Sequence, residues 1–171
     1  MKVTLIGHPW SPIGMGAQLR SHITALASVQ VQPQVYDIFR FATRADPAYA
    51  RLLAGREVEA VGDGVRIFHL NGDDIDDARA AFAERGFDWH GGRNIIVPAW
   101  ELPVYPAVWA EKLAAFDEVW ALSGFIQQSL AVAGVQSYLI GQSVEPEDGP
   151  LLPRRHFGIR ESAFAFSLRY V

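Results

Sequence analysis

A glycine-containing loop follows the first apolar run of the sequence, at residues 3–6. The run stops at Gly7, and Gly14-Met15-Gly16 precedes a helical pattern directly. Glycines let a ligand approach the backbone, and the free N–H groups at a helix start attract an anion. The loop therefore predicts either an anion-binding turn, with Gly14 and Gly16 as its contact residues, or a plain tight turn.

A dinucleotide cofactor is a further reading of this loop. The dinucleotide fingerprint requires a third glycine, where this chain has Leu19, and a shorter loop after the strand. Asp37, about twenty residues downstream, is the one feature that fits the fingerprint. A nucleotide-cofactor oxidoreductase stays open as an alternative on this basis, but we predict no cofactor.

His69 ends a strand pattern rich in apolar residues and precedes the turn Asn71-Gly72. A histidine at this position can bond a substrate hydroxyl or take its proton, because its pKa lies near neutrality. The alternative is a structural histidine that bonds the local backbone. Four acidic residues come next: Asp73, Asp74, Asp76 and Asp77. Acidic side chains are favourable at the positive end of a helix dipole, so these residues indicate a solvated helix start rather than a metal site.

Trp100-Glu101 follows another apolar run and is surrounded by three prolines. An indole can stack on the C–H face of a sugar while the neighbouring carboxylate accepts hydroxyl groups. The alternative is a buried tryptophan beside an acid that serves the following helix. We take Trp100 and Glu101 as candidate substrate-binding residues.

The composition limits the class of protein. The 171 residues are half apolar and carry a net charge of −4, which fits one globular domain and argues against a nucleic-acid partner. There is no cysteine, so disulfides, zinc thiolates and cysteine nucleophiles are excluded. We see no apolar run of membrane-spanning length and no signal peptide, and we expect a cytoplasmic location.

Strand and helix patterns alternate along the chain. Strands are predicted at 3–6, 34–38, 65–70, 94–98, 118–122, 137–140 and 163–168. Helices are predicted at 16–29, 47–54, 75–85, 106–116 and 124–133, with Val108, Trp109, Leu113 and Phe116 of the fourth facing inward. This alternation predicts a single α/β domain with a mostly parallel, Rossmann-like sheet covered by helices on both faces.

Such a sheet gathers its working groups beyond the carboxyl ends of the strands. Trp10 follows the first strand, His69 and Asn71 the third, and Trp100 the fourth. We therefore expect these residues to lie along one edge of the sheet, with Trp10 and Asn71 contacting substrate as well.

Four segments in their order along the chain resemble the N-terminal half of GT-B-type glycosyltransferases of family four. They are "GHPWSPIGMGAQLRSHITAL", "RIFHLNGDDI", "IIVPAWELPVYPAVWAEKLAAFDEVWALSGFIQQSL" and "FAFSLRYV". The third segment is the most specific, because a branch of that family reads Trp-Glu-Leu-Pro, then Phe-Asp-Glu-Val-Trp, at this spacing. The resemblance covers the chain from residue 3 to about residue 168.

The resemblance implies a role for each candidate residue. Gly14 and Gly16 match a loop that approaches the donor diphosphate, and His69 matches a catalytic-site residue near the transferred sugar. Trp100 and Glu101 match the characteristic pair of that branch. The family transfers a sugar from a nucleotide-sugar to a hydroxyl-bearing acceptor, with retention of configuration and generally without a metal.

The family also implies a second, donor-binding lobe, which these 171 residues do not contain. We expect an acceptor-binding half that is inactive alone, exposing Trp10, Trp100 and the glycine loop at a face where a homo-oligomer could form. A stand-alone binding or assembly module of the same fold is the alternative.

Overall fold

Strands and helices alternate through the computed structural model, which describes residues 2–41, 46–144 and 152–160. The strands are β1 (Val3–Gly7), β2 (Gln34–Asp37), β3 (Val65–Phe68), β4 (Arg93–Ile96), β5 (Glu118–Ala121) and β6 (Tyr138–Leu139). The helices are α1 (Gly14–Ser28), α2 (Pro47–Leu53), α3 (Ile75–Glu84), α4 (Ala107–Leu113) and α5 (Gly124–Val132), followed by a 3-10 helix at Arg154–Phe157.

Within these residues one sheet of six strands has the order β2-β1-β3-β4-β5-β6. Every neighbouring pair is parallel, which confirms the α/β, Rossmann-like fold. Parallel neighbours need crossover connections, and the helices supply them. The chain runs outward from β1 to β2 and then returns to β3 on the other side of β1. The strand order therefore reverses between β1 and β3.

Each face of the sheet buries its own apolar layer. Leu5 and Ile67 point toward α1, where they pack with Leu19 and Ile23. The alternate residues, such as Phe68, face α3, α4 and α5 in a second layer. Because both faces are covered, the strands read as continuous apolar runs rather than as an alternation of apolar and polar residues.

In helix α4, one of the four residues predicted to face inward faces solvent instead. Trp109, Leu113 and Phe116 pack against the core as expected, but Val108 is 66% exposed. Trp109 and Leu113 are four residues apart and share one face, whereas Val108 is rotated about 140° from Leu113 at 100° per residue. The prediction that Val108 faces inward was therefore wrong.

Several boundaries also differ from the prediction. Helix α1 begins at Gly14 rather than at residue 16, and α4 is shorter than 106–116. Strand β6 has only two residues, and both side chains are 54% exposed because it lies at the sheet edge. The strand predicted at 163–168 lies outside the described residues.

A side chain caps the start of α5 but not the start of α3. The Ser123 hydroxyl accepts a hydrogen bond from the Ile126 N–H at 3.2 Å, which caps α5. Asp74 stands at the start of α3, but its carboxylate accepts from the Asn71 N–H at 3.1 Å instead of capping the helix. None of the helices in the described ranges combines the length and the apolar character that a membrane crossing requires.

Candidate functional site

The loops after β1, β3 and β4 lie side by side at the carboxyl edge of the sheet. Their strands are hydrogen-bonded neighbours, with Ile6 opposite Phe68 and Phe68 opposite Ile96. The Asn71 side-chain oxygen accepts a hydrogen bond from the Ala99 N–H at 3.1 Å. Asn71 therefore ties the loop after β3 to the loop that carries Trp100. We call this edge, formed by loops 8–13, 69–74 and 97–105, the rim.

The two glycines of the α1 loop differ in their surroundings. A Cβ on Gly16 would lie 2.3 Å from the Ser11 carbonyl oxygen and 2.6 Å from that of His8. Gly16 therefore lets the preceding loop pack closely on the first turn of α1. A Cβ on Gly14 would meet nothing within 4 Å, so Gly14 alone leaves open space for a ligand.

Arg20 holds the same loop in place. Its Nη1 donates to the carbonyl oxygens of Pro9 and Ser11, each at 2.9 Å. Its guanidinium also lies 3.7 Å from the centre of the Tyr49 ring, and burial lowers the pKa of Arg20. Arg20 was not predicted from the sequence, because an arginine in an amphipathic helix is typical of the solvated face.

Trp10 does not lie on an exposed face, contrary to the prediction. It is only 6% exposed, packs in the core layer under α1, and its Nε1 donates to Glu57 Oε1 at 2.9 Å. The indole belongs to the same buried apolar cluster as Leu5 and Val35. Its assignment as a substrate contact stays a prediction.

His69 is completely buried. Neither ring nitrogen has a hydrogen-bond partner among the described residues, and the ring meets His22 of α1 edge-on at 4.7 Å between centroids. Burial, and secondly the neighbouring His22, lower the pKa of His69 well below its usual value, so the imidazole is neutral near pH 7. Its catalytic role stays a prediction. For His69 to contact a substrate, the rim would have to open toward the imidazole ring.

A cavity of about 320 Å³ lies beside His22, between α1 and the strands β5 and β6. Its lining is apolar apart from the imidazole and two polar side chains beyond β6, and includes Leu26, Trp120, Ile140, Gln142 and Ser143. Burial lowers the pKa of His22 as well. The two histidines thus form a neutral pair between this cavity and the rim.

Trp100 is half-buried and braces its own loop. Its Nε1 donates to the Val104 carbonyl oxygen at 2.8 Å, and its ring packs edge-on against Tyr105 and Trp109 at 5.7 and 5.2 Å between centroids. Glu101 is exposed on the same loop. The carboxylate is therefore accessible at the rim, while the indole is engaged with the protein.

A cluster that sequence analysis left out of the site lies at the ends of β1 and β2. The His8 ring contacts Phe39 and Phe41, with ring centroids 5.0 and 6.2 Å away. Burial lowers the pKa of His8, while the carboxylates of Asp74 and Asp37 counteract this by raising it. The only signal in the sequence was the Phe-Arg-Phe alternation directly after the second strand.

The aspartates after β3 do not form a cation site in the part of the chain that the structure describes. Asp76 pairs with Lys112 at 2.7 Å, and Asp74 accepts from Asn71 as described above. No group of three or more histidine, aspartate or glutamate side chains is placed to hold a metal ion within the described ranges.

Comparison with known proteins leaves the family open. No protein-family model matches the chain, and no curated protein matches it significantly.

Proposed function

We propose that this chain is the acceptor-binding half of a retaining glycosyltransferase. The observation that carries the proposal is the convergence of three neighbouring loops at one rim, next to the point where the strand order reverses. Ligands of open α/β sheets bind in the crevice at this point. An exposed carboxylate at Glu101 belongs to this rim, and open backbone at Gly14 directly follows its first loop.

In the proposed reaction an acceptor hydroxyl oxygen forms a bond to the anomeric carbon of the donor sugar. The bond from that carbon to the nucleoside diphosphate breaks, and the hydroxyl proton leaves with the diphosphate product. This chain binds and orients the acceptor, with Glu101 accepting hydroxyl groups. The backbone at Gly14 lies close to the donor diphosphate, where the start of α1 favours negative charge.

The donor belongs to a second lobe in this proposal, so the chain alone has no turnover. We propose neither a cofactor nor a metal for the reaction. We also propose a cytoplasmic location for the protein, which its cysteine-free composition supports.

Transfer assays test the proposal. The chain alone and the product of the complete reading frame are incubated with a panel of nucleotide-sugars and hydroxyl acceptors. We expect transfer by the complete product only. Glu101→Gln should raise the acceptor KM, while Glu111→Gln, at another exposed position, should not. Transfer by the isolated chain would refute the division of labour, and full activity of a folded His69→Ala variant would refute the role of His69.

An assembly module is the second candidate, and a different surface favours it. Three consecutive apolar side chains, Tyr138, Leu139 and Ile140, are solvent-exposed together at the β6 edge, whereas Trp10 is buried. Exposed apolar patches tend to associate. Sedimentation of the chain over a range of concentrations tests this candidate: a dimer that Tyr138→Ser disrupts supports it, and a monomer throughout counts against it.

A further inference from the structure

Two phenylalanine rings form a flat aromatic surface at the carboxyl edge of β2. Phe39 packs against the core, and Phe41 stacks on it with centroids 5.2 Å apart and planes 10° apart. Phe41 is nevertheless 79% exposed. One phenyl ring therefore anchors a second ring whose outer face is open to a ligand. We call Phe39 and Phe41 the platform.

The backbone between the two rings adopts a strained conformation. Arg40 has φ of 57°, in the left-handed region that non-glycine residues rarely occupy. The Asp37 carboxylate stabilises this turn by accepting the Arg40 N–H at 3.0 Å. The Arg40 guanidinium pairs with Glu59 at 2.8 Å, on the surface. Strain of this kind is concentrated at ligand-binding sites, and here it brings two alternate residues face to face.

The His8 ring lies beside the platform, and the Asp37 carboxylate is bonded to the Arg40 N–H between the two phenylalanines. The His8 ring contacts both phenyl rings, and the carboxylates of Asp37 and Asp74 act electrostatically on that imidazole. Each carboxylate accepts one backbone N–H, from Arg40 and Asn71 respectively. A carboxylate has about four lone-pair sites, so the half-buried Asp74 keeps capacity for further donors, whereas Asp37 is only 8% exposed and supports the turn. The platform follows β2, His8 follows β1 and Asp74 follows β3, so these groups come from the carboxyl ends of three adjacent strands.

We propose that the platform is a carbohydrate subsite, where the C–H face of a pyranose ring lies on Phe41 and ring hydroxyls donate to Asp74. This inference rests on the proposed function, because it makes the acceptor a sugar. It also transfers the stacking role that the sequence suggested for Trp100 to a different aromatic residue. Trp100 instead packs edge-on within its own loop.

The chemistry of the platform distinguishes a sugar from other ligands. Two carboxylates repel a phosphate or another anion. Cation cages surround an ammonium group with several aromatic faces, whereas two stacked rings present a single flat face. A sugar ring supplies an apolar face and several hydroxyl donors at once, which matches one aromatic face with acceptors next to it.

Ligand-observed NMR on the isolated chain tests this subsite. The probes are methyl glycopyranosides of glucose, galactose, mannose and N-acetylglucosamine, with adenosine, uridine and choline as competing chemistries. Phe41→Ala should weaken the binding of the preferred glycoside about tenfold, as expected for the loss of one stacking face, and Phe41→Trp should retain it. Phe157→Ala is the matched control, because Phe157 is also exposed and also contacts a histidine ring.

Three results would overturn the subsite: no glycoside binds, a nucleoside or choline binds instead, or Phe41→Ala and Phe157→Ala have the same effect. The transfer assay separates this outcome from the proposed function. If the complete product transfers sugar and Phe41→Ala leaves the acceptor KM unchanged, the subsite is wrong and the enzyme proposal stands. If glycosides bind at Phe41 but no transfer occurs, the subsite stands and the enzyme proposal fails.

Discussion

Replacing Gly72 by alanine tests whether close packing holds the rim together. Gly72 lies in the turn after β3 and is buried. A Cβ at this position would lie 2.3 Å from Trp109 Cβ, 2.6 Å from Trp109 Cγ and 2.9 Å from the Tyr105 hydroxyl. Ordinary contacts between carbon atoms are about 3.5–4.0 Å, so the new methyl group overlaps the tryptophan by more than about 1 Å.

Rotation of the indole cannot relieve this overlap, because Cβ is attached directly to the backbone of α4. The helix or the turn must move, and the contacts of Trp109 with Trp100 and Tyr105 are disturbed. Overpacking of a well-packed core costs about 1–3 kcal/mol, and we expect the upper end of that range here. For a chain of this length, each kcal/mol lowers Tm by about 2–4 °C, so Tm should fall by roughly 6–12 °C.

Urea and thermal unfolding followed by circular dichroism measure the change. Gly14→Ala is the control, because its methyl group meets nothing within 4 Å. The Trp109→Gly background provides the second arm, because only glycine lacks the Cβ that the new methyl group meets. The cost of Gly72→Ala should fall there by about 1 kcal/mol or more, within the usual range for residues in contact. A Gly72→Ala protein within about 0.5 kcal/mol of the parent, the usual effect of a neutral surface change, would refute the reasoning.

Two further predictions follow. Gly16→Ala should destabilise the chain by about 1–3 kcal/mol, because its methyl group would lie 2.3 Å from the Ser11 carbonyl oxygen; equal unfolding midpoints for Gly16→Ala and Gly14→Ala would contradict this. Burial lowers the pKa of His69 and His22 in the folded state, so the unfolded state binds more protons below about pH 6.5. Their contribution to stability is therefore complete above that pH and is lost as the pH falls. His69→Phe should therefore reduce the change in the urea midpoint between pH 7 and pH 5. An unchanged pH dependence would exclude His69 as a cause of the loss of stability at low pH.

The fold could be predicted from the sequence because its apolar patterns report directly on burial. Continuous apolar runs such as the one ending at Gly7 indicate strands covered on both faces, and the helical stripes between them imply crossovers. Apolar periodicity predicts exposure less well for single residues, because a step of one residue along a helix changes the direction of the side chain. Val108 was expected to face inward together with Trp109, yet a helix turns by 100° between neighbours, so adjacent residues do not share one face.

The candidate site was harder to predict, because its exposure depends on how the loops fold back. Trp10 was expected at the surface but is buried. The prediction failed because the residues next to Trp10 in the sequence do not indicate its contact with Glu57. Phe41 shows the opposite case. A phenylalanine in a Phe-Arg-Phe segment reads as core, but the left-handed turn at Arg40 presents it to solvent.

Each rim loop is held by a polar side chain that bonds to backbone groups four or more residues away along the chain. Arg20 holds the loop after β1 through two carbonyl oxygens, Asn71 ties the loops after β3 and β4 together through an N–H group, and Trp100 closes its own loop through a carbonyl oxygen. These contacts all lie within the chain itself. They order the rim without a ligand and without a second lobe, so that binding does not bear the conformational entropy cost of ordering the loops. Acceptor binding should therefore be measurable on the isolated chain, even if sugar transfer requires a partner lobe.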